Sequence, residues 1–129
     1  MTFRICTVLC FAASISITMA AQSEPVLLSA NIPIYPPLAA QARIEGIVKL
    51  IFTLRANGEP MNVQVVSGHA QLKSAAVENV ETWRFKTPYA EGKYETEFDY
   101  RFACSGPRRV TFESFQRVEV VGCPPMHSD

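Results

Sequence analysis

Between Tyr94 and Phe102 the chain reads Tyr-Glu-Thr-Glu-Phe-Asp-Tyr-Arg-Phe, and few structures accommodate that order. Successive side chains of an extended strand point to opposite faces. Tyr94, Thr96, Phe98, Tyr100 and Phe102 then share one face, and Glu95, Glu97, Asp99 and Arg101 share the other. A sheet with one face on an apolar layer and one in water writes this pattern. The rest of the chain must therefore supply neighbouring strands and a covering layer.

Both are legible upstream. From Gly46 to Leu54, Val48, Leu50, Phe52 and Leu54 alternate with Lys49, Thr53 and, just beyond, Arg55, in a run rich in β-branched and aromatic residues. A second run, Met61 to Ser67, puts Met61, Val63 and Val65 on one face. Asn57-Gly58 lies between them, and both residues tolerate positive φ, so an antiparallel hairpin is expected. After Ser67-Gly68 the period changes to 3.6: Leu72, Ala76, Val80 and Trp83 stack on one side of a helix that can lie across the hairpin. Pro88 bars its continuation. Ahead of the hairpin, Pro36-Pro37 and the helix-forming Leu38 to Arg43 predict a short helix over about 36–43. Beyond Ser105-Gly106-Pro107, Val110 to Val121 is β-prone but less regular, and Pro124-Pro125 ends it. The expected fold is α+β: a small antiparallel sheet, the hairpin plus the last strand, packed on a helix in two layers, with a short N-terminal helix and a β-prone C-terminal extension.

The N-terminus has a different character. Arg4 precedes an uncharged apolar run from Ile5 to Met19, and the small Ala20 and Ala21 follow, then polar Gln22, Ser23 and Glu24. This is the pattern of a cleaved signal peptide. An uncleaved anchor is the competing reading, although a bilayer span needs about 20 residues. The organisation expected is a signal peptide over 1–20, a lead-in over 21–34, a folded domain over 35–104 and an extension over 105–129. The chain carries 12 basic and 12 acidic residues and no basic cluster beyond Arg108-Arg109, which speaks against a nucleic-acid partner.

Cys6 and Cys10 leave with the leader, so Cys104 and Cys123 remain in an oxidising compartment, where a disulfide is expected. A metal site would need His127, which sits in a terminal tail beside two prolines. The bridge constrains the extension. One unbroken strand hairpinned about Gly106-Pro107 would hold the sulfurs over ~40 Å apart at ~3.3 Å per residue, and a disulfide needs Cα atoms within about 7 Å. The chain must therefore double back, most simply near Glu113-Ser114-Phe115, and doing so is expected to leave much of the Tyr94 to Phe102 edge available.

A family resemblance joins these pieces. Tyr35-Pro36, Arg43-Ile44-Glu45-Gly46, Val48-Lys49-Leu50, Asn57-Gly58, Val63-Gln64-Val65 and Trp83-Arg84-Phe85 follow one another, with Pro88 just beyond, at the order and spacing of the C-terminal domain of TonB, which the chain resembles from Tyr35 to Phe102. Tyr35, Pro36, Gly46, Gly58, Trp83 and Phe85 are its structural positions. Gly46 lets the backbone enter the strand without a Cβ clash. Trp83 is expected as a core plug whose indole N–H finds a backbone acceptor, and Tyr35 as a packing residue that could also border a binding surface. The resemblance implies a partner site on the last strand, where the family receives an extended segment of an outer-membrane receptor. Here that strand is Tyr94, Glu95, Thr96, Glu97, Phe98, Asp99, Tyr100, Arg101 and Phe102.

No catalytic constellation appears. His127-Ser128-Asp129 are adjacent residues on a free terminus and cannot take up the mutually oriented geometry of a triad. His69 reads as a solvated loop histidine, and Glu95, Glu97 and Asp99 as the wet face of a strand. No cofactor, metal or small-molecule substrate is expected. Three functions are. The first is a periplasmic module associated with TonB-type transport, which binds an envelope protein or a TonB-dependent receptor peptide by edge-strand addition. The second is a structural or self-associating envelope protein, a homodimer for instance, whose edge the extension closes. The weakest is a membrane-anchored energy transducer: the apolar segment holds no histidine or charge, and the stretch before Tyr35 reaches only about 45 Å when extended.

Overall fold

Strand β2 (Gly46–Leu54) lies at the middle of the molecule. It pairs on one side with β3 (Pro60–Ser67) and on the other with β5 (Gly92–Phe102), Gly46 opposite Tyr100 and Leu54 opposite Gly92. The computed structural model describes residues 14–16, 24–86 and 92–125; Pro88, the 1–20 leader and His127-Ser128-Asp129 lie outside the described residues. The β2–β3 hairpin forms, and of Asn57-Gly58 only Gly58 takes a positive φ. Gly58 takes φ 85° and its amide donates to the Arg55 carbonyl (2.9 Å), while Asn57 instead accepts the Glu59 amide at Oδ1 (3.1 Å). This is the longer loop in which a residue at positive φ closes a bulge. Gly58 is required twice over, since a Cβ there would lie 2.3 Å from the Phe85 carbonyl oxygen. A further bulge at Asn62 (φ 52°) breaks the inward alternation of β3, so Met61 and Val63 are half-buried and Val65 is 36% exposed.

The core forms where the inward faces of β2 and β5 meet helix α2 (Ala70–Glu81). Val48, Leu50, Phe52 and Leu54 come from β2, Phe98 and Tyr100 from β5, and Leu72, Ala76 and Val80 from α2. Trp83 closes the stripe, fully buried, stacked on Phe98 (5.9 Å) and edge-on to Phe52 (6.0 Å). Its indole N–H donates not to backbone but to Oδ1 of Asn79 (2.9 Å), one helical turn earlier and on the same side of the helix. Asn79 in turn donates to the Asn31 carbonyl (2.8 Å), and the Asn31 amide donates to the Thr82 hydroxyl (3.1 Å). The lead-in is therefore tied to the end of α2. It also contributes a short strand, β1 (Leu27–Ser29), paired with β4 (Arg84–Phe85) in a second sheet. At the other end of α2, His69 acts as N-cap, its Nδ1 accepting the Gln71 amide (3.1 Å).

The short helix α1 spans Pro37–Gln41, less than expected. Arg43 turns left-handed (φ 55°) and the Ile44 amide closes onto the Ala39 carbonyl (2.9 Å), which stops the helix. Gly46 follows at φ 152°, and nothing lies nearer than 4.0 Å to a Cβ built there. Its glycine answers a backbone conformation and not a steric clash.

The extension forms two strands, β6 (Arg109–Ser114) and β7 (Arg117–Gly122), reversing at Phe115-Gln116. The disulfide forms: Cys104 and Cys123 are bridged with Cα atoms 4.9 Å apart. The edge is not left available. β7 runs parallel to β5, Glu97 opposite Arg117 and Phe102 opposite Gly122, and the strand order is β3-β2-β5-β7-β6. Side-chain chemistry explains the placement. Val118 and Val120 sit beside Phe98 and Tyr100 and extend the buried face; each valine gains about 1.5–3 kcal/mol on burial. On the wet face Arg117 and Glu119 meet Asp99 and Arg101, with Arg101–Asp99 at 2.9 Å and Arg117–Asp99 and Arg101–Glu119 at 3.7 Å.

Tyr35 seals the end of this arrangement. Its ring stacks on Phe102 (4.8 Å), meets Tyr100 edge-on (5.4 Å), and its hydroxyl donates to the Ile44 carbonyl. It also lies over Gly122, where a Cβ would come within 2.9 Å of Cδ2. Burial, with a smaller effect of the Glu45 charge, pushes the Tyr35 phenol up to about 12. Burial likewise raises the phenol of Tyr100, whose hydroxyl finds no acceptor among the described residues.

Three outcomes are expected. Trp83→Ala should lose about 3–5 kcal/mol, as large-to-small core changes do, and a urea midpoint that stays put would place Trp83 outside the core. Reducing the disulfide should cost about 3 kcal/mol by loop entropy, read as a lowered midpoint with dithiothreitol. The tyrosines set an alkaline limit. Above the ordinary tyrosine pKa of 10.0 the unfolded chain releases protons that the native phenols hold, so stability is full below that pH and falls as pH climbs towards about 12. Tyr35→Phe removes part of that slope, so the gap in urea midpoint between wild type and variant should narrow from neutral to alkaline pH; a constant gap would show that the phenol does not titrate in this way.

Candidate interaction surface

Strand addition needs unpaired backbone groups, and the structure moves them away from the strand where the sequence predicted them. The inward residues of β5 fill the core: Thr96, Phe98 and Tyr100 are buried and Tyr94 and Phe102 half-buried. Its outward residues are largely engaged. Glu97 pairs with Lys49 (3.3 Å), and Asp99 is buried between Arg101 and Arg117. The second edge of β5 is taken from Glu97 to Phe102 by β7, and the Glu97 amide donates to the Gln116 carbonyl (2.9 Å). The Thr96 hydroxyl reaches Phe115 O (2.7 Å). The expected edge is thus interior along its C-terminal half, because the parallel return of β7 satisfies both the disulfide and the valines.

The outer strands of the five-stranded sheet are β3 and β6. β3 is a poor template. Its register against β2 shifts twice, with Asn62 in one of the breaks, and bulges blunt an edge. β6 keeps regular pairing with β7 from Arg109 to Phe112, shifting only between Phe112 and Ser114.

An apolar groove of about 1010 Å³ runs beside β6. Val110, Phe112 and Val120 form its floor, and Ile32, Ile34 and Tyr35 of the lead-in form a wall. Tyr35 therefore packs and borders the groove at once. Ile32 is 74% exposed, Ile34 75% and Phe112 37%, so apolar surface is presented to solvent along the strand. Arg108 and Arg109 stand by the groove, and neither has an ion pair among the described residues. The groove exists because α2 lies over β3 and β2, while β7 and β6 extend the sheet past the helix on the far side of β5.

Tyr35 apart, the sequence does not single out the residues of this surface. Val110 and Phe112 alternate with Thr111 and Glu113 as in β5, but the run is short and its turn lacks Gly or Asn. Instead the Ser114 hydroxyl accepts the Gln116 amide (3.1 Å) while Phe115 plugs the core against Phe85 (5.6 Å) and Tyr94 (5.9 Å).

Comparison with known proteins bears on the part of the fold from the lead-in to β5. The family model of the Gram-negative bacterial TonB protein C-terminal matches residues 31–103. The solution NMR structure of the Pseudomonas aeruginosa TonB C-terminal domain is similar at 28% identity and a TM-score of 0.50, over 62% of this chain and 88% of that one. Among curated proteins no relative matches. β6, β7 and Cys123 lie beyond the matched range, which holds β2 to β5, α2 and the Tyr35 seal. The chain belongs to the TonB C-terminal domain family.

Proposed function

We propose that this chain is a non-catalytic interaction module of the periplasm, associated with TonB-type transport, which binds an extended segment of an envelope protein by strand addition at β6. The observation that carries the reading is the coincidence of an open, regular edge with an exposed apolar groove along it. Backbone pairing along an edge supplies affinity, and alternate side chains falling into the groove supply selectivity. A TonB-dependent receptor peptide is one candidate segment, by analogy with the family. The β5 edge used in that analogy is filled by β7, and the bridge at Cys104–Cys123 holds it there. Opening it would expose Val118, Val120 and the faces of Phe98 and Tyr100. The same closure favours, as a second reading, an envelope protein that associates with itself.

Neighbouring positions of β6 turn their N–H alternately towards β7 and away from it. Val110→Pro and Thr111→Pro should therefore part company. One removes a bond to β7 and lowers stability. The other stays folded by circular dichroism and loses capture of the envelope partner. Capture unchanged in the folded variant would exclude β6 as the adding edge.

A further inference from the structure

Resting on the reading of β6 as an adding edge, the residues there specify their own partner: we infer that β6 pairs antiparallel with β6 of a second copy, centred on Thr111. Any strand added here must meet two requirements. On the groove side it needs apolar side chains opposite Val110 and Phe112, which stand on that face beside Val120 and Val118. On the wet side it needs an acid opposite Arg109 and a base opposite Glu113.

β6 read in reverse meets both. With Thr111 facing Thr111 of the other copy, Val110 falls opposite Phe112, and Arg109 comes up to Glu113, which stands on the face of Arg117 at the bulge where the regular register ends; each pair occurs twice by symmetry. Directly opposed residues of an antiparallel pair have Cβ atoms about 4.5–5.5 Å apart, close enough for both kinds of contact. The charge pattern points the same way. Arg101 and Arg117 are each paired with carboxylates within their own sheet, whereas Arg109, on the outermost strand, has no ion pair among the described residues. Glu113 meets Arg117 at 3.6 Å and stays more than half exposed, free to face a second cation.

The seam would also answer the exposed apolar surface. Phe112 gains a valine beside it, and the groove walled by Ile32 and Ile34 runs along the join. Two five-stranded sheets would become one of ten, and each copy's β6 edge is satisfied by the other's. An interface with the same patch on both sides is the commonest way soluble proteins pair. A seam of six residues lies at the small end of specific interfaces, below about 1,200 Å², so association reversible at micromolar concentration is expected.

Sedimentation equilibrium of the purified exported protein tests the register. R109E and E113R each set like charges opposite one another twice per dimer, and each should weaken association by roughly tenfold or more. Both side chains are exposed, so both variants should keep the wild-type circular dichroism. The double variant R109E/E113R restores opposite charges and should recover association to within about threefold of wild type. A wild-type protein that stays monomeric at several hundred micromolar overturns the inference, as does a dimer indifferent to the single reversals or not rescued by the double one. None of these failures touches the reading of β6 as a strand acceptor for another protein, which stands or falls on the proline pair.

Discussion

The parallel docking of β7 against β5 is the constraint on which the rest of this molecule depends. β5 carries an aromatic inward face and a charged outward face, and both need a neighbour on the side away from β2. β7 supplies valines for one and an arginine and a glutamate for the other in a single register. Because β7 must run parallel, the chain has to travel back before it can pair. β6 is that return path, and it becomes the outermost strand as a result. The position of the groove, the sealing ring of Tyr35 over Gly122 and the meeting of the two cysteines all follow from this one placement.

A second node works on the opposite layer. Asn79 is nearly buried, and its amide is used on both sides, accepting from the Trp83 indole and donating to Asn31. An apolar residue there would leave an indole N–H unpaired in the core, which costs about 1–3 kcal/mol. The same side chain fixes the course of the lead-in, so that Ile32 and Ile34 stand as the groove wall and do not trail into solvent. The core and the interaction surface thus share a residue.

Much of the fold was legible because periodicity is local. β2, β5 and α2 announce themselves by periods of 2 and 3.6, and the inward faces read from them are the faces buried. β3 was read less well because a bulge at Asn62 shifts its alternation midway, and no neighbouring residue signals it. The bridge followed from compartment and the reversal from distance, yet the direction in which β7 pairs is a non-local property. It depends on what Phe98 and Tyr100 lack, which no pattern within residues 110–121 records. The candidate surface was hidden for the same reason: its wall and floor come from opposite ends of the chain, each unremarkable by itself.

The bridge has one more consequence, and it is mechanical. Cys104 follows β5 and Cys123 follows β7, so the residues between them form a covalently closed loop that contains all of β6 and β7. A pull applied at the C-terminus passes through the sulfurs straight into β5 and on to its long antiparallel pairing with β2. The loop itself bears no tension. The outer hairpin, and whatever is seated on it, would keep its shape under a load that strips an unbridged strand from the sheet.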